Sequence, residues 1–291
     1  MPTSIEYLCN DWPEAGTVRK IAKGILWLRM PLPFQLDHIN LWLIEDSNGW
    51  ALVDTGINTP ETVMLWRSLL KNLPNGGGLT RLICTHSHPD HMGLAGWFES
   101  EFYLEMATTE NEWRNGKFFS RDRENGDNQF SDYFRKAGCN EFQVKQVSDH
   151  ILGANHLYSA IPETFNVITH GDVIEIGGRY WEVIVTSGHS IEHACLYCEE
   201  DHILIAGDQV LPKITPTIVL HPYHQDANPL RDFLSSNKLF RPLPEDTLVL
   251  PGHNLPFRGL HARLDDYEIH HETRLDSIYE ACGAQRSAMG I

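Results

Sequence analysis

The sequence predicts a mixed α/β protein whose chemistry sits at strand ends. Three observations carry this reading. Short apolar runs alternate with segments of helical spacing in both halves of the chain. Three of those runs end on a glycine followed by a metal-competent residue: Ser187-Gly188-His189, Gly207-Asp208 and Gly252-His253. Glycine lets the backbone turn sharply and approach an ion closely. A fourth run, Arg81-Leu82-Ile83-Cys84, delivers Thr85-His86-Ser87-His88-Pro89-Asp90-His91, which packs four candidate ligands into six positions. Imidazole and carboxylate are the groups that zinc and similar ions take.

In chain order, residues 25–30, 39–44 and 50–54 read as strands, the last two joined by a hairpin turn at Asp46-Ser47-Asn48-Gly49. Residues 60–73 set Val63, Trp66, Leu69, Leu70 and Leu73 at helical spacing, and Pro74-Asn75-Gly76-Gly77-Gly78 stops that helix. The strand 81–84 follows, then a helix from Pro89 to about Phe98, proline being suited to a first helical turn. From about 105 to 160, charged, aromatic and amide residues predict a helical insertion near the site. Strands resume at 173–176, 180–186, 194–198 and 203–206. A loop rich in Pro and His spans 212–229. A helix over about 228–240, a strand at 247–250 and a helix over about 260–280 complete the chain.

The 291 residues suffice for one large core, and the formal net charge of −16 argues against a nucleic-acid or anionic-membrane partner. The start of the chain lacks a basic segment followed by an apolar one, and no apolar run reaches membrane-spanning length, so a cytoplasmic location is expected. Six cysteines are scattered. The spacing of Cys195 and Cys198 puts them on opposite faces of a strand, a structural arrangement.

These residues resemble a known family. His86-x-His88-x-Asp90-His91 fits, at every position, the H-x-H-x-D-H motif of metallo-β-lactamase-fold hydrolases of the glyoxalase II-like, seven-ligand type. The match covers nearly all of the chain outside the insertion and the N-terminus. It implies a four-layer αββα sandwich, one domain over 1–291, with the site at one edge. It further implies that His86, His88 and His189 hold a first metal, Asp90, His91 and His253 a second, and that Asp208 bridges them. Two divalent cations are expected, zinc foremost, with iron or manganese serving the same ligands. The implied activity is attack of a metal-bridging hydroxide on a small thioester, ester or lactone, with Asp90, or else a metal-bound water, as the catalytic group that orients the nucleophile and then protonates the leaving group.

The departures narrow the subgroup. Class B β-lactamases carry cysteine where Asp208 stands, and flavodiiron proteins carry glutamate where His88 stands. Many lactonases have a tyrosine where this chain has Leu211, and glyoxalase II has a Gly-Cys-Gly-rich stretch after its bridging aspartate that is missing here. One alternative, a mononuclear-iron persulfide dioxygenase, shares the fold and motif; a second is a phosphodiester or RNA hydrolase, against which the net charge of −16 speaks. A catalytically idle metal-binding protein is a third.

Around the ligands, Asp54 is a candidate acceptor for a ligand histidine N–H, or a turn residue at a strand end. His193 is a candidate neighbour of the ligands. His221, Tyr223 and His224 are substrate-pocket candidates, with a surface loop as the plain alternative. Arg241, Arg258 and Arg263 could meet an anionic handle or simply be solvated, and His270-His271 read as solvated.

Overall fold

The computed structural model describes residues 4–74, 77–121, 128–283 and 287–290. The elements are, in order, β1 (Glu6–Tyr7), β2 (Val18–Ala22), β3 (Ile25–Pro31), β4 (His38–Asp46), β5 (Gly49–Val53), α1 (Pro60–Leu70), β6 (Gly78–Ile83), α2 (Pro89–Met92), α3 (Ala95–Phe102) and β7 (Met106–Thr108). Then come α4 (Glu110–Phe119), α5 (Asn128–Lys136), α6 (Glu141–Leu152), β8 (Asn166–Val167), β9 (Val173–Ile176), β10 (Arg179–Thr186), β11 (His193–Cys198) and β12 (Ile203–Gly207). The last are α7 (Pro229–Asn237), β13 (Leu248–Pro251), β14 (Phe257–Arg258) and α8 (Leu260–Ala281). Part of the stop expected at 74–78 and part of the insertion, 122–127, lie outside the described residues.

The strands form two seven-stranded sheets, ordered β2-β3-β4-β5-β6-β7-β8 and β1-β14-β13-β12-β11-β10-β9. Their facing sides bury Ile25, Trp27, Trp42, Val53, Trp181, Leu196 and Leu250 in one apolar layer. The outer side of the first sheet packs on α1 and α3 through Leu41, Trp66 and Phe98, and that of the second on α7 and α8 through Tyr197, Phe233 and Tyr267. Three apolar layers between four structural layers make an αββα sandwich. Among the described residues no helix is long and apolar enough to cross a membrane.

Strand direction gathers the candidate ligands. β5 and β6 run parallel, as do β12 and β13, while β10 aligns with β12 through antiparallel β11. The carboxyl ends of β5, β6, β10, β12 and β13 therefore meet at one edge of the sandwich. Asn40 on β4 bolts the sheets together there. Its Oδ1 accepts from Trp27 Nε1 at 2.9 Å, its Nδ2 donates to the carbonyls of Pro251 and Asn254 at 3.0 and 2.6 Å, and its N–H donates to Gly252 at 2.7 Å.

Several expectations need correction. The helix expected over 89–98 breaks at Gly93-Leu94. The Gly93 carbonyl accepts from Ser159 N–H and hydroxyl, and the Leu94 N–H donates to Thr55 Oγ1, so tertiary partners replace the helical ladder. The expected insertion opens with a strand, β7, parallel to β6. His271 is buried against the Phe233 ring. Arg263 also points inward and donates to the carbonyls of Leu211 and Ile214.

Asn40→Ala is expected to lower unfolding free energy by about 2–4 kcal/mol, because the Trp27 N–H and two carbonyls lose buried partners. Urea denaturation followed by tryptophan fluorescence measures it.

Candidate metal centre

Among the described residues, three sets of side chains present ligand atoms within 4.8 Å of one another: His86, His88 and His189; His86, His91 and Asp208; and Asp90, His91 and His253. All seven side chains picked out in the sequence thus gather at the sandwich edge. His86 Nε2 lies 2.9 Å from His88 Nδ1 and 3.2 Å from His189 Nε2. Asp208 Oδ1 faces His91 Nε2 at 3.4 Å, and its Oδ2 faces His253 Nε2 at 3.2 Å and His189 Nε2 at 3.6 Å. Asp90 Oδ2 lies 3.4 Å from His253 Nε2 and 3.7 Å from His91 Nε2.

Local sequence explains the convergence. Pro89 starts α2, which puts Asp90 and His91 on a first helical turn directly after the loop that carries His86 and His88. Gly207 has a φ of +47°, and a Cβ there would strike the His193 ring and Thr85 Oγ1. At Gly252 a Cβ would overlap the Asp208 carboxylate. Both positions need glycine because the ligand strands press together.

Most of the rings are fixed from behind. Asp54, held at a φ of +64° just past β5, accepts from His91 Nδ1 at 2.8 Å and from the Thr85 N–H at 2.7 Å. The Thr85 hydroxyl donates to the same carboxylate and lies 3.0 Å from His86 Nδ1, so Asp54 orients His91 directly and His86 through Thr85. His189 Nδ1 donates to the Thr217 carbonyl at 2.9 Å, and His253 Nδ1 to the His38 carbonyl at 2.7 Å. His193 stands outside the three ligand sets. Its Nε2 accepts the Asp208 backbone N–H at 3.1 Å, and its ring stacks on His86.

Three groups that sequence reasoning missed tie the ligand loops to the insertion. Glu112 on α4 is fully buried, and its two carboxylate oxygens accept the N–H groups of Ser87 and Glu192, each at 2.8 Å. The Thr109 hydroxyl donates to the Glu192 carbonyl, and the Tyr158 hydroxyl to the Ser87 carbonyl. Thr109-x-x-Glu112 has the spacing of a helix capping box. Here both side chains turn outward instead and clamp the loops that carry His86, His88 and His189.

The electrostatics divide the centre in two. Burial pushes His86 well below its ordinary value, lowers His88, and takes His189 down to about 4, with neighbouring imidazoles adding to the effect, so this set is neutral at pH 7. Burial likewise holds His193 neutral. Burial opposes charge on His91 and His253 too, but the carboxylates outweigh it. Asp208, Asp54 and Asp90 raise His91 well above its ordinary value, and Asp208 and Asp90 raise His253 to about 10. Against burial, His91 and His253 take Asp90 down to about 2, and the same two imidazoles keep Asp208 ionised.

These residues fit divalent cations. His91 Nε2 and Asp208 Oδ1 are buried, face each other and lack a hydrogen-bond partner, which a cation between them would supply. The donor set, five imidazoles and two carboxylates, suits zinc and its neighbours.

A cavity of about 830 Å³ adjoins His88 and His189. His221 and His224 line it. Tyr223 packs instead on the rings of Phe118 and Phe130 at 4.9 and 5.7 Å.

Fold and centre together define a metal-binding αββα sandwich protein. The chain belongs to the metallo-beta-lactamase superfamily, whose sequence model matches residues 35–253. A beta-lactamase domain protein from Burkholderia ambifaria superposes with a TM-score of 0.87 at 34% identity, over 99% of this chain and 85% of that one. The chain is also similar to "Probable metallo-hydrolase YqjP" of Bacillus subtilis, 24% identical over 250 residues, 84% of this chain and 75% of that protein. It is 26% identical over 195 residues to acyl-coenzyme A thioesterase MBLAC2 of Gallus gallus, 66% of this chain and 65% of that protein. The match spans 40% of the length of lactamase-like protein nscB of Trichophyton equinum and 48% of this chain, at 29% identity over 141 residues.

Two outcomes are expected. Asp54→Ala should weaken metal binding roughly 10–100-fold, read by competition with a chromophoric chelator. The raised values of His91 and His253 keep both protonated at pH 7 in the metal-free protein. Loading must expel those protons, so apparent affinity should fall as pH drops. Calorimetry in buffers of differing ionisation enthalpy measures the release.

Proposed function

We propose that this protein is a dinuclear metal-dependent hydrolase of acyl thioesters, with esters and lactones as related substrates. One observation carries the reading: the two oxygens of Asp208 look toward different histidines, Oδ1 toward His91 and Oδ2 toward His189 and His253. In this reading His86, His88 and His189 hold one cation, Asp90, His91 and His253 the other, and Asp208 is shared. The similarity to an acyl-coenzyme A thioesterase favours thioesters within the hydrolase class.

When bound, paired divalent cations supply an activated water near neutral pH and polarise a carbonyl oxygen. The chain does the rest. Asp54 and Thr85 hold the His86 and His91 rings in the tautomers that turn Nε2 inward. Asp90, held ionised, accepts a hydrogen bond from the attacking water and orients it, and the proton that the water loses ends on the departing thiolate, so that a C–O bond replaces the C–S bond and a thiol leaves. His193 fixes the Asp208 backbone while remaining neutral.

The test is metal analysis with a substrate panel. Two equivalents of metal and thioester cleavage are expected, and Asp208→Ala should lose both a metal equivalent and at least about 100-fold in kcat, the scale of removing one stabilising group from a transition state. Protein with one iron that oxidises a persulfide and spares every thioester would overturn the reading, as would full turnover by metal-free Asp208→Ala.

A further inference from the structure

The cavity beside His88 and His189 is walled mainly by carbon. Phe119 of α4, Phe130 and Phe134 of α5, and Ile191, Ile218 and Leu220 all line it. Its volume of about 830 Å³ falls near the top of the roughly 300–1,000 Å³ range of small-molecule sites. That is more room than an acetyl group needs. Among the described residues no lysine or arginine lines it, and Asp232 is the one carboxylate that does. Burial keeps His221 below its ordinary value, so that ring adds no charge at pH 7. Away from the metal centre at its His88 and His189 end, a carboxylate or phosphate placed inside would give up water and meet no lysine or arginine among the described residues. An apolar group would shed water without such a cost.

We infer that, granted the thioesterase reading, this chamber is the acyl site and that it selects bulky, uncharged, apolar acyl groups, leaving any anionic carrier outside. Size is read by the aromatic wall from the insertion. Charge is read by the lack of a lysine or arginine among the described residues that line it.

The experiment uses the metal-loaded full chain and N-acetylcysteamine thioesters, whose carrier is neutral. Acetyl, octanoyl, phenylacetyl and succinyl thioesters are compared by kcat/KM. Each added methylene buried should gain roughly threefold, so the six that separate octanoyl from acetyl give on the order of 700-fold when all are buried. Succinyl should be the poorest for its size. Val219, an exposed residue on the cavity lining, provides the charge switch. Val219→Arg should lower the octanoyl-to-succinyl ratio at least about 10-fold, since it supplies the missing countercharge. Ala227→Trp, at another exposed lining position, should lower the octanoyl-to-acetyl ratio without adding charge. Calorimetry with the uncleavable octyl thioether of N-acetylcysteamine reads the chamber without turnover. Octyl thioether binding that Ala227→Trp weakens supports the chamber even if no thioester is cleaved, in which case the hydrolase reading alone falls. Equal turnover of acetyl and octanoyl, or a wild-type preference for succinyl, overturns the chamber while leaving the hydrolase reading in place. Absence of thioether binding overturns it as well.

Discussion

Two carboxylates, the half-buried Asp90 and the buried Asp208, face His91 and His253 at an edge of the sandwich where little water reaches. Buried negative charge is costly unless it is matched. In the metal-free chain, protons on His91 and His253 provide the match, which is why burial fails to neutralise those two rings. The other three histidines have weaker carboxylate company and remain neutral. One edge thus offers a charged half and an uncharged half, joined by Asp208. Cations can replace the protons without rearranging the carboxylates, since the donor atoms already point inward.

The fold serves that charge problem. Five strand ends reach the same edge because two parallel pairs and an aligned third strand all point there. Asn40 closes the seam between the sheets beside Gly252 and His253. Asp54, in a backbone conformation that non-glycine residues seldom adopt, supports one ring directly and a second through a hydroxyl. A site so crowded leaves no space for a methyl group at Gly207 or Gly252.

Much of this was legible in the sequence, and physics separates what was from what was not. The ligand positions announce themselves locally, as an apolar run, a glycine and a donor, so the strand ends at His189, Asp208 and His253 could be read one at a time. The two-residue strands β1, β8 and β14 are too short to carry a period, and β7 hides at the start of a segment whose composition reads as helix. Asp54 could be nominated but its φ could not, because nothing in Asp54-Thr55-Gly56 specifies a left-handed aspartate. Glu112 was invisible for another reason. Its partners are backbone N–H groups 25 and 80 residues away, and its spacing from Thr109 reads more simply as a helix cap. Arg263 and His271 show the same limit, for whether a residue on a long amphipathic helix faces inward depends on what the rest of the chain lays across it.

The Glu112 clamp makes the insertion more than a cover. Through one carboxylate, α4 grips both the Ser87 and the Glu192 backbone, and its Phe119 lines the cavity. Cavity wall and the loops that carry the candidate ligands are therefore tied together. Replacing this whole segment would change the cavity wall and, in the same stroke, discard the brace behind His88, whereas trading single side chains such as Phe119 would reshape the wall and leave the brace in place.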